Sequence, residues 1–191
     1  MKAIFYALFL FLFSILISCG KTDIIADDQH PQKLEIEQLV SLMGQPFDSI
    51  SAIMGTESIT VTDSLGVKKA MLPLLDRESP NPNFMCELIE ADGRVGSIHL
   101  RSTASNHGTS KNTFFYFDRV LSEKFPLIKF YAVDADGGIN DFSQTKEELY
   151  NYLNYNSSSG AALEFNAPAA TILSFCFYEA EKDFVISIEK K

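Results

Sequence analysis

Phe84-Met85-Cys86-Glu87-Leu88-Ile89-Glu90-Ala91, then Asp92-Gly93, then Arg94-Val95-Gly96-Ser97-Ile98-His99-Leu100-Arg101-Ser102: two runs with alternating apolar positions flank an Asp-Gly pair. Successive strand side chains point to opposite sides, so such alternation suits a strand with one buried face. Asp-Gly tolerates the left-handed backbone that a two-residue hairpin turn demands of both its residues. The stretch predicts a hairpin of Phe84–Ala91 against Arg94–Ser102, and with it an antiparallel sheet.

Upstream, Ser79-Pro80-Asn81-Pro82-Asn83 reads as a loop, because two prolines defeat a regular ladder. Short strands are expected at Ile59–Thr62 and Val67–Leu75. Further back, Ile36, Leu39, Val40 and Met43 fall at i, i+3, i+4 and i+7, one face of a helix. Gly44 stops it, and Pro46 suits the first turn of a second helix, where Phe47, Ile50, Ile53 and Met54 form a stripe closed by Gly55. The two make a helical hairpin.

Downstream, Thr103 to Asn112 reads as a polar loop. Thr113–Phe125 is ambiguous: Phe114, Phe117, Leu121 and Phe125 suit a helix, while Phe114-Phe115-Tyr116-Phe117 has strand propensity. A helix ended by Pro126 is favoured. Leu127–Val133 is a strand, and Thr145 with Glu148 forms a capping box for a helix in which Leu149, Tyr152 and Leu153 share a face. After a turn at Ser157-Ser158-Ser159-Gly160, strands are expected at Ala162–Asn166, Thr171–Tyr178 and Phe184–Glu189. The expected fold is a single α+β domain over residues 33–191: an N-terminal helical hairpin and one or two further helices packed on a mainly antiparallel sheet.

The chain's start carries a different kind of signal. Met1-Lys2 precede an apolar run from Ala3 to Ile17, shorter than the roughly 20 residues a spanning helix needs. A charged start, a short apolar run and a small residue before a cut describe a secretory signal peptide. Leu16-Ile17-Ser18-Cys19 closely resembles the bacterial lipobox. The resemblance implies cleavage between Ser18 and Cys19, lipid attachment to the Cys19 thiol and acylation of the new terminus. Two or more acyl chains bind a bilayer firmly where one binds marginally. Gly20 follows the cysteine where Asp would favour inner-membrane retention, so the family implies the outer membrane of a Gram-negative cell envelope. Residues 1–18 are then the signal and 19–32, with no sustained periodicity, the lipidated cysteine and a flexible tether. Gly44-x-Pro46-Phe47-Asp48…Ile53-Met54-Gly55 also resembles, over residues 44–55, a helix motif of small envelope lipoproteins of the BamE and SmpA type; no functional residue is carried across from it.

The formal charge of −9, from 25 acids against 16 lysines and arginines, argues against nucleic acid and anionic headgroups as partners. Cys86 and Cys176 lie in apolar runs; an oxidising compartment allows a disulfide between them, and two buried free thiols are the alternative. Asp134-x-Asp136-Gly137-x-Ile139-Asn140 lacks the first aspartate and the closing glutamate of a calcium loop and reads as a turn. His99, within an apolar strand, and His107, in the polar loop, have no zinc-site spacing. No Gly-x-Ser-x-Gly occurs. Tyr150 and Tyr155 form a candidate ligand surface for stacking on sugars or gripping a protein. No cofactor or metal is expected.

These readings favour a lipid-anchored, non-enzymatic module that binds another envelope protein. The alternatives are an envelope hydrolase with an unrecognised site and a glycan-capturing lipoprotein. A shallow groove or flat sheet face with exposed apolar residues favours the first. A deep cleft with convergent carboxylates, or His99 beside a serine, favours the second; Tyr150 and Tyr155 exposed side by side favour the third.

Overall fold

Asp92 and Gly93 turn the chain with φ of 53° and 75°, and Ala91 faces Arg94 across the two-residue loop. The computed structural model describes residues 31–55, 59–64, 66–103, 107–133, 139–141, 145–155, 160–176 and 183–191. In chain order they form β1 (Gln32–Lys33), α1 (Ile36–Leu42), a 3-10 turn (Phe47–Ser49), α2 (Ile50–Met54), β2 (Thr60–Ser64), β3 (Val67–Leu75), β4 (Asn83–Ala91) and β5 (Arg94–Thr103). Then come α3 (His107–Lys124), β6 (Leu127–Val133), β7 (Ile139–Asp141), α4 (Lys146–Tyr155), β8 (Gly160–Ala167), β9 (Ala170–Cys176) and β10 (Asp183–Lys190). The strands make one sheet in the order β1-β3-β4-β5-β10-β9-β8-β6-β7, with β2 also on β3. The class is mixed α and β, and the sheet is antiparallel among the described residues except at β1–β3.

Two meanders build this sheet, β3-β4-β5 and β8-β9-β10, and they join where β10 pairs β5. The strands β10, β9 and β8 separate β5 from β6, a span of roughly 19 Å at about 4.8 Å per strand. The connection across that span is α3, whose 18 residues reach about 27 Å. Its buried face, Phe114, Phe117 and Leu121, continues into Phe125 just past its end and lies on β8, β9 and β10. The helix begins at His107, well before the apolar periodicity does. Its early turns bury Ser110, within the stretch expected to be a polar loop, and Thr113, just after it, instead of large apolar groups.

Local chemistry fixes the remaining elements. Thr145 and Glu148 close the expected capping box: the Thr145 backbone N–H donates to Glu148 Oε2 at 2.7 Å and the Glu148 N–H to Thr145 Oγ1 at 3.3 Å. The turn after α1 is clipped to the tip of the β4–β5 hairpin, since Gly44 N–H donates to Val95 O, Val95 N–H to Gln45 O and Phe47 N–H to Gly93 O, each at 2.9 Å. Gln32, the last residue of the expected tether, pairs with Leu74 in parallel register, and its side chain donates to Met54 O at 3.1 Å. One step further out, that register opposes Pro31 to Pro73, and neither has an N–H to extend the ladder. Pro73 itself falls between the β3 residues paired with β2 and those paired with β1, where a missing donor costs least.

The main core lies between the sheet and the helices, with Leu72, Cys86, Leu100, Ile186, Ile172 and Leu163 on the sheet side. The opposite sheet face carries a smaller cluster of Val133, Ala162, Phe175 and Val185, with Tyr131 and Leu173 packed against it. Among the described residues, no helix is long and apolar enough to cross a membrane.

Candidate functional site

Cys19 and Ser18 lie outside the described residues, as do Asp134 to Gly138 of the candidate calcium loop. Cys86 and Cys176 are both buried free thiols. Strands β5 and β10 separate their strands, three steps of roughly 14 Å in all, while a disulfide needs Cα atoms within about 7 Å. The disulfide reading is therefore corrected to two core thiols. Burial pushes Cys86 up to about 12 and Cys176 up to about 11, so neither offers a thiolate for chemistry at neutral pH.

The expected tyrosine surface does not form either. Tyr155 is 86 % exposed, but Tyr150 is half-buried, its ring 4.6 Å from that of Phe115 and its hydroxyl donating to Asp118. Asp118 is 6 % exposed and also accepts from Ser122 at 3.1 Å and pairs with Lys146 at 2.5 Å. Burial, reinforced by the Asp118 hydrogen bond, raises the Tyr150 phenol well above its ordinary value. A five-residue offset on a helix also turns two side chains more than a quarter-turn apart. Tyr150 is part of the α3–α4 packing, and sugar stacking across Tyr150 and Tyr155 is ruled out.

His99 does stand beside a serine. On the sheet face away from the helices, Ser187 Oγ lies 3.2 Å from His99 Nδ1 and donates to Glu189 Oε1 at 3.1 Å. Glu87, opposite His99 in the ladder, pairs with Lys69 at 3.0 Å. The order serine, histidine, carboxylate invites comparison with a hydrolase triad. A nucleophile, however, must reach a carbonyl carbon beside donors for the developing oxyanion. Ser187 is only 2 % exposed, and β10 is paired on both sides at this residue, with His99 and with Leu173, so its backbone N–H groups belong to the ladder. The group is a satisfied polar row across the sheet.

That row makes stability pH-dependent. Burial lowers the His99 pKa, partly countered by Glu87 and Glu189 and aided by Lys69 and Arg101. Above the unfolded value of about 6.5, the imidazole is neutral in both states and costs nothing. Below it the unfolded chain takes up a proton that the folded row resists, so stability falls as pH drops towards the lowered folded pKa. His99→Gln, which keeps a hydrogen-bonding group next to Ser187, is expected to flatten the urea midpoint between about pH 7 and pH 5. Equal pH dependence in the two proteins would show that the imidazole is not held neutral by burial.

A groove with a volume of about 950 Å³ opens elsewhere, between the start of α1, the β3–β4 loop and α3. Half-buried Leu75 and Val120 contribute apolar surface to it, over the buried Leu34, Ile36 and Phe117, with Tyr116 at the side. The Tyr116 hydroxyl donates to Asp76 Oδ2 at 2.9 Å, and the Arg119 guanidinium lies 5.6 Å from the ring centre. Burial first, and then Asp76, raise the Tyr116 phenol far above its usual range, leaving it a fixed neutral donor. The rim holds the cations Lys33, Arg77 and Lys124 and the acids Glu35, Glu37, Asp76, Glu78 and Glu123. Lys33 pairs with Glu35 at 3.1 Å, and Lys124 pairs with Glu37. Burial would raise the Glu37 carboxyl, but the Lys124 hydrogen bond outweighs it and holds that pKa below the ordinary value. Arg77, Glu78 and Glu123 make no side-chain ion pair among the described residues.

Sequence reasoning missed this groove, because three distant segments build it and none carries a motif. The only local hint was the charge-rich Lys33–Glu37 entry to α1. Among the described residues, no group of three or more His, Cys, Asp or Glu side chains converges to hold a metal ion. Comparison with protein-family models, curated proteins and solved structures finds no match for the chain.

Proposed function

We propose that the chain is a lipid-anchored protein of the cell envelope, held through Cys19 to the outer membrane of a Gram-negative bacterium, whose folded domain binds another envelope protein. In this reading an N-terminal helical hairpin packs on the sheet, and the start of its first helix, the β3–β4 loop and α3 frame the binding surface. The observation that carries the binding role is the groove beside Pro31: its apolar floor and two-signed rim suit a polypeptide more than a small apolar ligand. Six of its titratable side chains are turned to one another in the pairs Lys33–Glu35, Lys124–Glu37 and Tyr116–Asp76 instead of converging on a reacting centre. The lipobox supports the anchor, and the acidic balance argues against a nucleic-acid partner.

In-cell crosslinking of the tagged full chain tests the binding role; one stoichiometric envelope partner is the expected product. A lane empty of partners, with the protein folded and abundant, would count against it. For the anchor, Cys19→Ala is expected to abolish acyl labelling and release the protein from the membrane pellet. Unchanged labelling and pelleting would remove the lipoprotein reading. The hydrolase alternative has one contact in its favour, Ser187 beside His99, and predicts labelling of Ser187 by a fluorophosphonate, which the burial of that hydroxyl opposes.

A further inference from the structure

We infer that the groove takes an extended, basic segment of the partner protein, with one apolar side chain seated on Leu75 and Val120 and its cations against Glu78 and Glu123. This rests on the binding reading above and assigns that reading a surface and a ligand chemistry. Charge complementarity selects the occupant. The five acids and three cations around the groove give a balance of −2. Two of the cations already hold acids of the same rim. The two exposed acids left over, Glu78 and Glu123, share the rim with Arg77, while Arg119 lies over the Tyr116 ring beside it.

Two other occupants fail on the same ground. A second copy of the chain would bring a formal charge of −9 towards an acidic rim, and like charges facing each other oppose association. The chain's own leading segment offers Ile24 and Ile25 as apolar anchors, but Asp23, Asp27 and Asp28 outnumber its one cation, Lys21. A cationic segment instead meets uncommitted carboxylates above an apolar floor, and its approach is steered by the field of an acidic protein. The Tyr116 hydroxyl, spent on Asp76, leaves its ring edge and the half-buried Leu75 and Val120 as the apolar seat.

The test uses the full chain in a neutral detergent and a fluorescein-labelled heptapeptide, Lys-Lys-Gly-Leu-Gly-Lys-Lys. Two control peptides accompany it, one with Ser for Leu and one with Glu for every Lys. The basic, leucine-bearing peptide is expected to bind, to weaken with added salt, and to bind better than the serine version. The Glu peptide is expected not to bind. Glu78→Lys with Glu123→Lys turns the groove balance to +2 and should weaken binding by roughly tenfold or more. Both positions are exposed, and an unchanged circular dichroism spectrum and urea midpoint verify that the variant is folded. Absence of binding at millimolar peptide, equal binding of the serine version, or no effect of the double reversal would each overturn the assignment. If the assignment falls while the in-cell crosslink persists, the partner uses another face and the binding reading stands; loss of the crosslink as well removes both.

Discussion

Gly160→Ala is expected to destabilise the domain by about 3 kcal/mol, through overpacking against backbone instead of loss of a contact. A Cβ at this position would lie 2.2 Å from the carbonyl oxygen of Cys176 and 3.3 Å from both its carbonyl carbon and the Val133 Cβ. A flexible side chain tip could swing away from such a collision, but a carbonyl in a central strand cannot. Cys176 faces Phe184 on one side and Ala161 on the other, so relief requires β8 to pull away from β9 at its first pairs. Gly93→Ala makes the instructive comparison. Nothing lies within 4 Å of a Cβ there, and the cost is the left-handed φ of 75°, worth about 1–2 kcal/mol. Urea midpoints of the two variants separate the mechanisms; a Gly160→Ala loss no larger than that of Gly93→Ala would mean that the strand start yields easily.

What could be read from the sequence and what could not divides along the range of the interaction. The Asp92-Gly93 turn and the Thr145–Glu148 cap are written in adjacent residues, and both form as their chemistry requires. Leu127–Val133 was legible as a strand because its propensity suffices to define it. Helix α3 was legible only from Thr113 onward. In its first turns the buried positions are hydroxyls: Ser110 Oγ lies 3.6 Å from Cys176 Sγ, and Thr113 Oγ1 donates back to Thr109 O at 2.8 Å. Hydrophobic periodicity cannot register a helix face that buries Ser and Thr. The two-residue β1 has no pattern at all and exists because β3 offers an unpaired edge at Leu74 and Leu75. The same limit hid the groove, whose walls meet only through the fold, and it misdirected the tyrosine reading, since the carboxylate that claims Tyr150 lies 32 residues away in sequence.

Phe117→Ala is expected to cost about 3–5 kcal/mol and to do so without dividing the unfolding transition. The ring is 1 % exposed and stacks on Phe184 with centroids 5.0 Å apart at 20°. Phe84 meets it edge-on at 5.4 Å and 81°. Phe84 belongs to β4 in the first meander and Phe184 to β10 in the second, so one α3 side chain packs on both halves of the sheet. Its removal leaves a cavity that neither backbone nor neighbouring ring can close completely, because the strands beneath are fixed by their ladders. Phe117→Leu, which keeps most of the volume and loses the ring contacts, should cost closer to about 1.5 kcal/mol. The β5–β10 ladder holds the halves together in either variant, with seven register pairs from Asp183↔Thr103 to Glu189↔Ser97. A single cooperative step with an unchanged denaturant slope is therefore expected, at a lower midpoint. Two separated transitions in Phe117→Ala would show instead that the meanders fold as independent units and that the aromatic contact, not the central ladder, makes them one domain.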